Sequence, residues 1–137
     1  MKISKIALVF GILFCLGSVS LMAQDIRVGG SSLRANGNPV QGHHYTGSCP
    51  VDLRFSWGVI SNRPREVGYR FERSDGGHSS RHESVNLQGH GHSTPVYYDW
   101  QLGAHNREFA DFHGWVNLII EGREPVEKKI DFTIHCR

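Results

Sequence analysis

The side chains best suited to chemistry in this chain are its nine histidines. Neutral imidazole is a common ligand for zinc and copper. In His90-Gly91-His92 an extended loop places two rings on one side of the chain, and His78 and His82 lie four residues apart. The Gly76-Gly77 pair just before them opposes a helix that would align the two. His78, His82, His90 and His92 are therefore the candidate metal ligands, with zinc or copper as candidate cofactor. No established ligand spacing is met, so further ligands must come from elsewhere in the fold; the four also read as ordinary solvated loop histidines. Catalytic patterns are absent from the sequence. There is no Gly-x-Ser-x-Gly elbow and no His-Glu-x-x-His motif, and Asp99 and Asp111 are paired carboxylates only by nearness along the chain. No glycine-rich loop opens a helix to cradle a phosphate.

A second set of residues suits recognition. Trp57, Tyr69, Phe71, Tyr98, Trp100 and Phe132 fall on the apolar phase of their segments and read as core. Tyr97 is opposite in phase to Tyr98 and should point outward. With Arg70, Gln101 and Trp115 it forms a candidate binding face, because exposed aromatics and arginines stack on sugar rings and peptides.

The elements that must position these residues are strands. Val51, Leu53, Phe55, Trp57 and Val59 alternate with Asp52, Arg54, Ser56 and Gly58, the two-residue period of a half-buried strand over Val51 to Ile60. Similar alternation marks Val67 to Glu72, Ser84 to Leu87, Val96 to Leu102 and Val126 to Cys136. Phe112 to Glu121 is apolar on both faces, with Trp115 and Ile119 on one side and Val116, Leu118 and Ile120 on the other. Such a strand is central or covered. Six strand signals about 10–20 residues apart, separated by turn residues such as Asp75-Gly76, predict an all-β, antiparallel sandwich. A short strand holding Tyr45 is expected over His43 to Ser48. The contact loops are expected at Asp75–His82, Gln88–Thr94 and Gly103–Asp111.

Compartment follows from the first residues. Met1 to Lys5 is a basic n-region, Ile6 to Leu16 an apolar h-region, and Ser18, Ser20 and Ala23 offer small residues for a signal peptidase. Residues 1–23 thus read as a signal peptide, 24–42 as a flexible leader rich in Gly, Ser and Asn with at most a short edge strand at Ile26 to Val28, and 43–137 as the folded domain. The apolar run is short for a membrane span, and no second one follows. Removing 23 of the 137 residues leaves 114, enough for one core. Lys2 and Lys5 leave with the signal, so 15 Lys and Arg become 13, equal to the 13 Asp and Glu. The mature chain is neutral, and its charge offers no argument for nucleic acid. Two cysteines remain, and in an exported protein an even pair reads as a disulfide, Cys49–Cys136. If six strands alternate up and down, the first begins where the last finishes, which places the two sulfurs at one end of the sandwich.

Cys49-Pro-Val, Val67-Gly-Tyr-Arg-Phe-Glu-Arg-Ser-Asp75, Trp100-Gln-Leu-Gly103, Gly114-Trp-Val116 and Phe132-Thr-Ile-His-Cys136 together resemble small secreted bacterial immunoglobulin-like domains, over roughly Tyr45 to Arg137. The resemblance implies an immunoglobulin-like β-sandwich and an exported life, and no activity. The first cysteine opens a strand and the second ends one, unlike the central bridge of antibody domains. The expected function is that of a secreted or periplasmic, non-catalytic binding or accessory module, its partner an extracellular or periplasmic protein or glycan. Zinc or copper capture by the histidine-rich loops and a loop-built hydrolase site are the alternatives.

Overall fold

The computed structural model describes residues 25–79, 82–103 and 111–137. The expected signal peptide lies outside these residues, as do most of the Gly103–Asp111 connection and Ser80 and Arg81. Among the described residues there are nine strands: β1 (Ile26–Ala35), β2 (Asn38–Pro39), β3 (His44–Gly47), β4 (Val51–Ser61), β5 (Arg65–Arg73), β6 (Glu83–Leu87), β7 (Ser93–Leu102), β8 (Asp111–Ile120) and β9 (Val126–Cys136). They form two sheets, β2-β1-β4-β7 and β3-β9-β8-β5-β6, here called A and B. The fold is an immunoglobulin-like β-sandwich. Among the described residues the only helical turn is 3₁₀, Gln41–His43, and no helix is long and apolar enough to cross a membrane.

The alternation in β4 becomes the centre of the core. Val51, Leu53, Phe55, Trp57 and Val59 are each no more than 1% exposed. They face Phe71, Val116, Leu118, Ile120, Ile130, Phe132 and Ile134 of sheet B in one hydrophobic cluster. Phe55 meets Phe132 edge-on with centroids 5.1 Å apart, and Trp57 lies 5.3 Å from Phe71. β8 is apolar on both faces because it is interior to sheet B, between β9 and β5. Its outward Ile119 is still only 2% exposed, directly between Arg70 and Glu127 on the neighbouring strands.

Two features depart from the sequence expectation. Residues 26–35, expected within a flexible leader, form a strand paired with β4 from Ile26↔Ser61 to Ala35↔Leu53. The register slips between Val28 and Ser31, at Gly29-Gly30. This bulge reverses which residues face inward: Ile26 and Val28 pack on the core before it, Leu33 and Ala35 after it. The apolar phase therefore breaks in the middle, and no continuous alternation is visible along the segment. Asn36 and Gly37, with φ of 48° and 82°, then close a tight hairpin into β2. The second departure is β3, which pairs parallel with β9, from His44↔Thr133 to Gly47↔Cys136. All other strand pairs are antiparallel.

The cysteines are joined. Cys49 precedes β4 and Cys136 ends β9, with Cα atoms 5.5 Å apart across 87 residues of sequence. Closing so long a loop contributes about 4–5 kcal/mol in the chain-entropy account. Gly103, with φ 80°, passes against the bridge; a Cβ there would lie 2.7 Å from Cys49 Cβ.

The inclusion of β1 in the core is testable. Leu33→Ala is expected to lower the unfolding free energy by about 2–5 kcal/mol in urea titration, the usual range for truncating a buried leucine. A change within ~0.5 kcal/mol would mean that this segment is peripheral to folding.

Candidate functional site

Strand phase separates the four residues expected to share a binding face. Tyr97 and Gln101 project from β7 on the outside of sheet A. Arg70 and Trp115 project from β5 and β8 on the outside of sheet B, across the core. Two surfaces therefore exist where one was expected.

On sheet A, Tyr97 is the exposed large hydrophobic residue, at 50%. Its neighbours are set by the β4–β7 register, which places Ser56, Arg54 and Asp52 opposite Tyr97, Asp99 and Gln101. The Arg54 guanidinium forks onto Asp99, Nε to Oδ1 at 2.7 Å and Nη2 to Oδ2 at 2.9 Å. Its Cζ also lies 5.2 Å from the Tyr97 ring centroid. Gln101 Nε2 donates to Asp52 Oδ1 at 2.9 Å. The hydrogen bond from Arg54 holds the Asp99 carboxyl below the ordinary carboxylate range, partly offset by desolvation. A shallow concavity of ≈ 670 Å³ runs over Arg34, Asp52, Arg54, Asp99 and Gln101. Every acid on this surface has a committed partner, which makes it a rigid polar plane beside one aromatic ring.

Sheet B has a concavity of its own. Arg70, Glu72, Arg73, His78, His82 and Trp115 line a cleft of ≈ 570 Å³. One wall is formed by residues 74–79, which follow β5 and are shaped by the Asp75-Gly76 turn. Asp75 Oδ1 accepts from Gly77 N at 2.9 Å and from Arg73 Nε at 3.0 Å. Arg73 Cζ in turn rests 4.4 Å from the centroid of Trp100, so its guanidinium plugs the end of the core. Gly77 lies against that guanidinium, where any side chain would collide. Ser79 then fastens the wall to β5: its N donates to Phe71 O and its Oγ accepts from Phe71 N, both at 3.0 Å. The floor is Arg70 and Glu72, ion-paired through Arg70 Nη1 and Glu72 Oε1. His82 Nδ1 meets Glu121 Oε1, and Arg70 Nε lies 4.0 Å from the same oxygen. Trp115 stands on the central strand between β5 and Lys129 of β9, whose Nζ is 4.1 Å from the ring centroid. Its backbone is pinned by Ser74, whose Oγ accepts from Trp115 N at 3.1 Å.

The four candidate metal ligands divide as well. His78 and His82 belong to this cleft, with His78 bridged to Glu72 near the end of β5. His90 and His92 lie at the other end of β5, in a turn where Gly89, His90 and Gly91 all have positive φ (76°, 56° and 76°). That turn is bound to the β4–β5 connection by His90 N to Asn62 O at 3.0 Å and Gly91 N to Ser61 O at 3.1 Å. Among the described residues no three His, Cys, Asp or Glu side chains converge as a metal would require. The outer face of sheet B does gather histidines that the sequence reading passed over. His44, His113 and His135 lie on three adjacent strands and are brought together by pairing register alone. Their outward phase on β8 and β9 is legible in the sequence; their adjacency is not. His105 falls outside the described residues.

The Arg54–Asp99 pair yields a pH prediction. Both side chains are more than half exposed, so Asp99→Asn is expected to cost no more than about 1 kcal/mol. Because the folded-state value is depressed, the contribution is present above the unfolded carboxyl value and disappears as pH falls through the folded one. NMR titration of the Asp99 carboxyl should show a midpoint that rises in Arg54→Ala; an unchanged midpoint would remove Arg54 as the cause.

No protein-family model matches the chain, and no curated protein matches it significantly. Among solved structures it is similar to the CARDB domain of a Pyrococcus furiosus protein, determined in complex with di-metal ions, at 9% identity and a TM-score of 0.49 over 82% of this chain and 94% of that one.

Proposed function

We propose that this chain is an exported, non-catalytic recognition module that binds a carbohydrate in the outer cleft of sheet B. The observation that carries the reading is the placement of Trp115 beside the fixed Arg70–Glu72 pair in one concavity. A sugar ring presents a flat C–H surface and a rim of hydroxyls. An indole accepts the first, and a held donor–acceptor pair accepts the second in a defined orientation. The charged lining residues are each paired, Arg70 with Glu72 and Arg73 with Asp75 just behind the wall, which suits a neutral glycan better than a strongly acidic or basic one. Its walls rest on the backbone of β5 and on the Arg73 plug, so little ordering is required when a ligand enters.

Export is supported by the Cys49–Cys136 disulfide, which persists in oxidising compartments, and by the signal-like first residues.

Screening the mature protein against neutral oligosaccharides, followed by calorimetry on the best binder, tests the reading. Trp115→Ala is expected to weaken binding at least about tenfold, ~1.4 kcal/mol, with an unchanged melting profile. Tyr97→Ala should leave affinity intact, and prolonged incubation should release no shortened glycan. Loss of binding in Tyr97→Ala but not Trp115→Ala would move the ligand to sheet A, and accumulating product would make the protein an enzyme.

A further inference from the structure

We propose that His44, His113 and His135 form a site for one borderline divalent cation, Zn²⁺ or Cu²⁺, on the outer face of sheet B. The site is separate from the glycan cleft and does not depend on it. Strand register brings the three onto one face. Thr133 on β9 is directly opposite His44 on β3 and directly opposite His113 on β8. His135 is two residues further along β9, on the same face as Thr133. It is therefore the diagonal neighbour of both His44 and His113, and its strand lies between theirs. Diagonal neighbours on adjacent strands have Cβ atoms roughly 7–8 Å apart or a little less, within reach of long side chains. His44 and His113 flank Thr133 from the two strands beside β9, roughly 9–10 Å apart, so an ion at the ~2.0–2.1 Å of a metal–imidazole bond would be shared by all three rings if they turned toward it.

All three histidines are exposed, while Tyr45, Phe112 and Ile134 between them pack on the core. The backbone is therefore fixed by the sandwich, while the exposed rings have room to reorient. In the structure they do not yet converge. His113 Nδ1 lies 2.9 Å from Thr133 Oγ1, and His135 Nδ1 is hydrogen-bonded to Asp111. Both contacts use Nδ1, so Nε2 of each ring is the nitrogen left for an ion. A carboxylate on the far nitrogen is also the arrangement that fixes the tautomer of a ligating histidine and raises its basicity. Asp111 is directly opposite His135 in the β8–β9 ladder and so occupies that supporting position. Three neutral imidazoles with water as fourth ligand suit zinc or copper, and a three-nitrogen set disfavours calcium and magnesium, which take oxygen.

The test is calorimetric titration of the mature protein with Zn²⁺ and, in a separate arm, Cu²⁺, each against Mg²⁺. One ion per chain is expected, with a dissociation constant of ~10 μM or tighter. His44→Ala, His113→Ala and His135→Ala should each weaken binding at least tenfold, and Asp111→Asn by about tenfold. A double His90→Ala/His92→Ala variant should bind as the parent does. A readout without substitution is the selective broadening of the ring signals of His44, His113 and His135 by substoichiometric Cu²⁺ in NMR spectra. Absence of binding in both arms, binding undiminished in the three single variants, or broadening confined to the loop histidines would each overturn the proposal.

Discussion

The structure depends on keeping one side of β4 dry. Five alternate residues of that strand, Val51 to Val59, are sealed between the sheets, and each large-to-small change there would remove both transfer energy and packing. β4 lies inside sheet A, flanked by β1 and β7 over nearly its whole length. Its other face is polar, and that polarity is used: Arg54 and Asp52 order the opposing residues of β7. The same strand thus supplies the centre of the core and the plane of the sheet A surface, because side chains two apart share a face.

From that strand the rest follows by coverage. Sheet B must present an equally apolar inner face, and the inward residues of β5, β8 and β9 do so. What remains outside differs between the sheets. On sheet A the acids Asp52 and Asp99 are held across the β4–β7 ladder. Sheet B carries residues 74–79 as a wall, held where Arg73 rests between Trp100 and Gly77 and where Ser79 bonds Phe71. A guanidinium against an indole at the end of the core ties the shape of the cleft to the packing beneath it.

Much of this was legible in the chain, for a physical reason. Strand phase is a local property, so the inward face of β4, the outward Tyr97, the two-sided β8 and the last strand can all be read from alternation. The disulfide was legible because only two cysteines lie beyond the signal-like segment. Three things were not. The bulge at Gly29-Gly30 shifts the phase within β1, so a real strand resembles a polar leader. The parallel pairing of β3 with β9 depends on where the chain goes after a 3₁₀ turn, which no local pattern states. The grouping of side chains on the outer faces depends on register between strands distant in sequence. For this reason Arg70 and Trp115 separate from Tyr97 and Gln101, and His44, His113 and His135, far apart in sequence, share one face of sheet B.

The cysteine pair has a consequence for the order of events during biosynthesis. Cys49 has no intrachain partner until another 87 residues have followed it, and no other cysteine lies between the two. Scrambled bridges within this stretch are therefore impossible, and the hazard is mixed disulfides with other molecules while the first thiol waits. In the folded sandwich the start of β4 and the end of β9 hold the two sulfurs within bonding reach, so the covalent link joins the first core strand to the last.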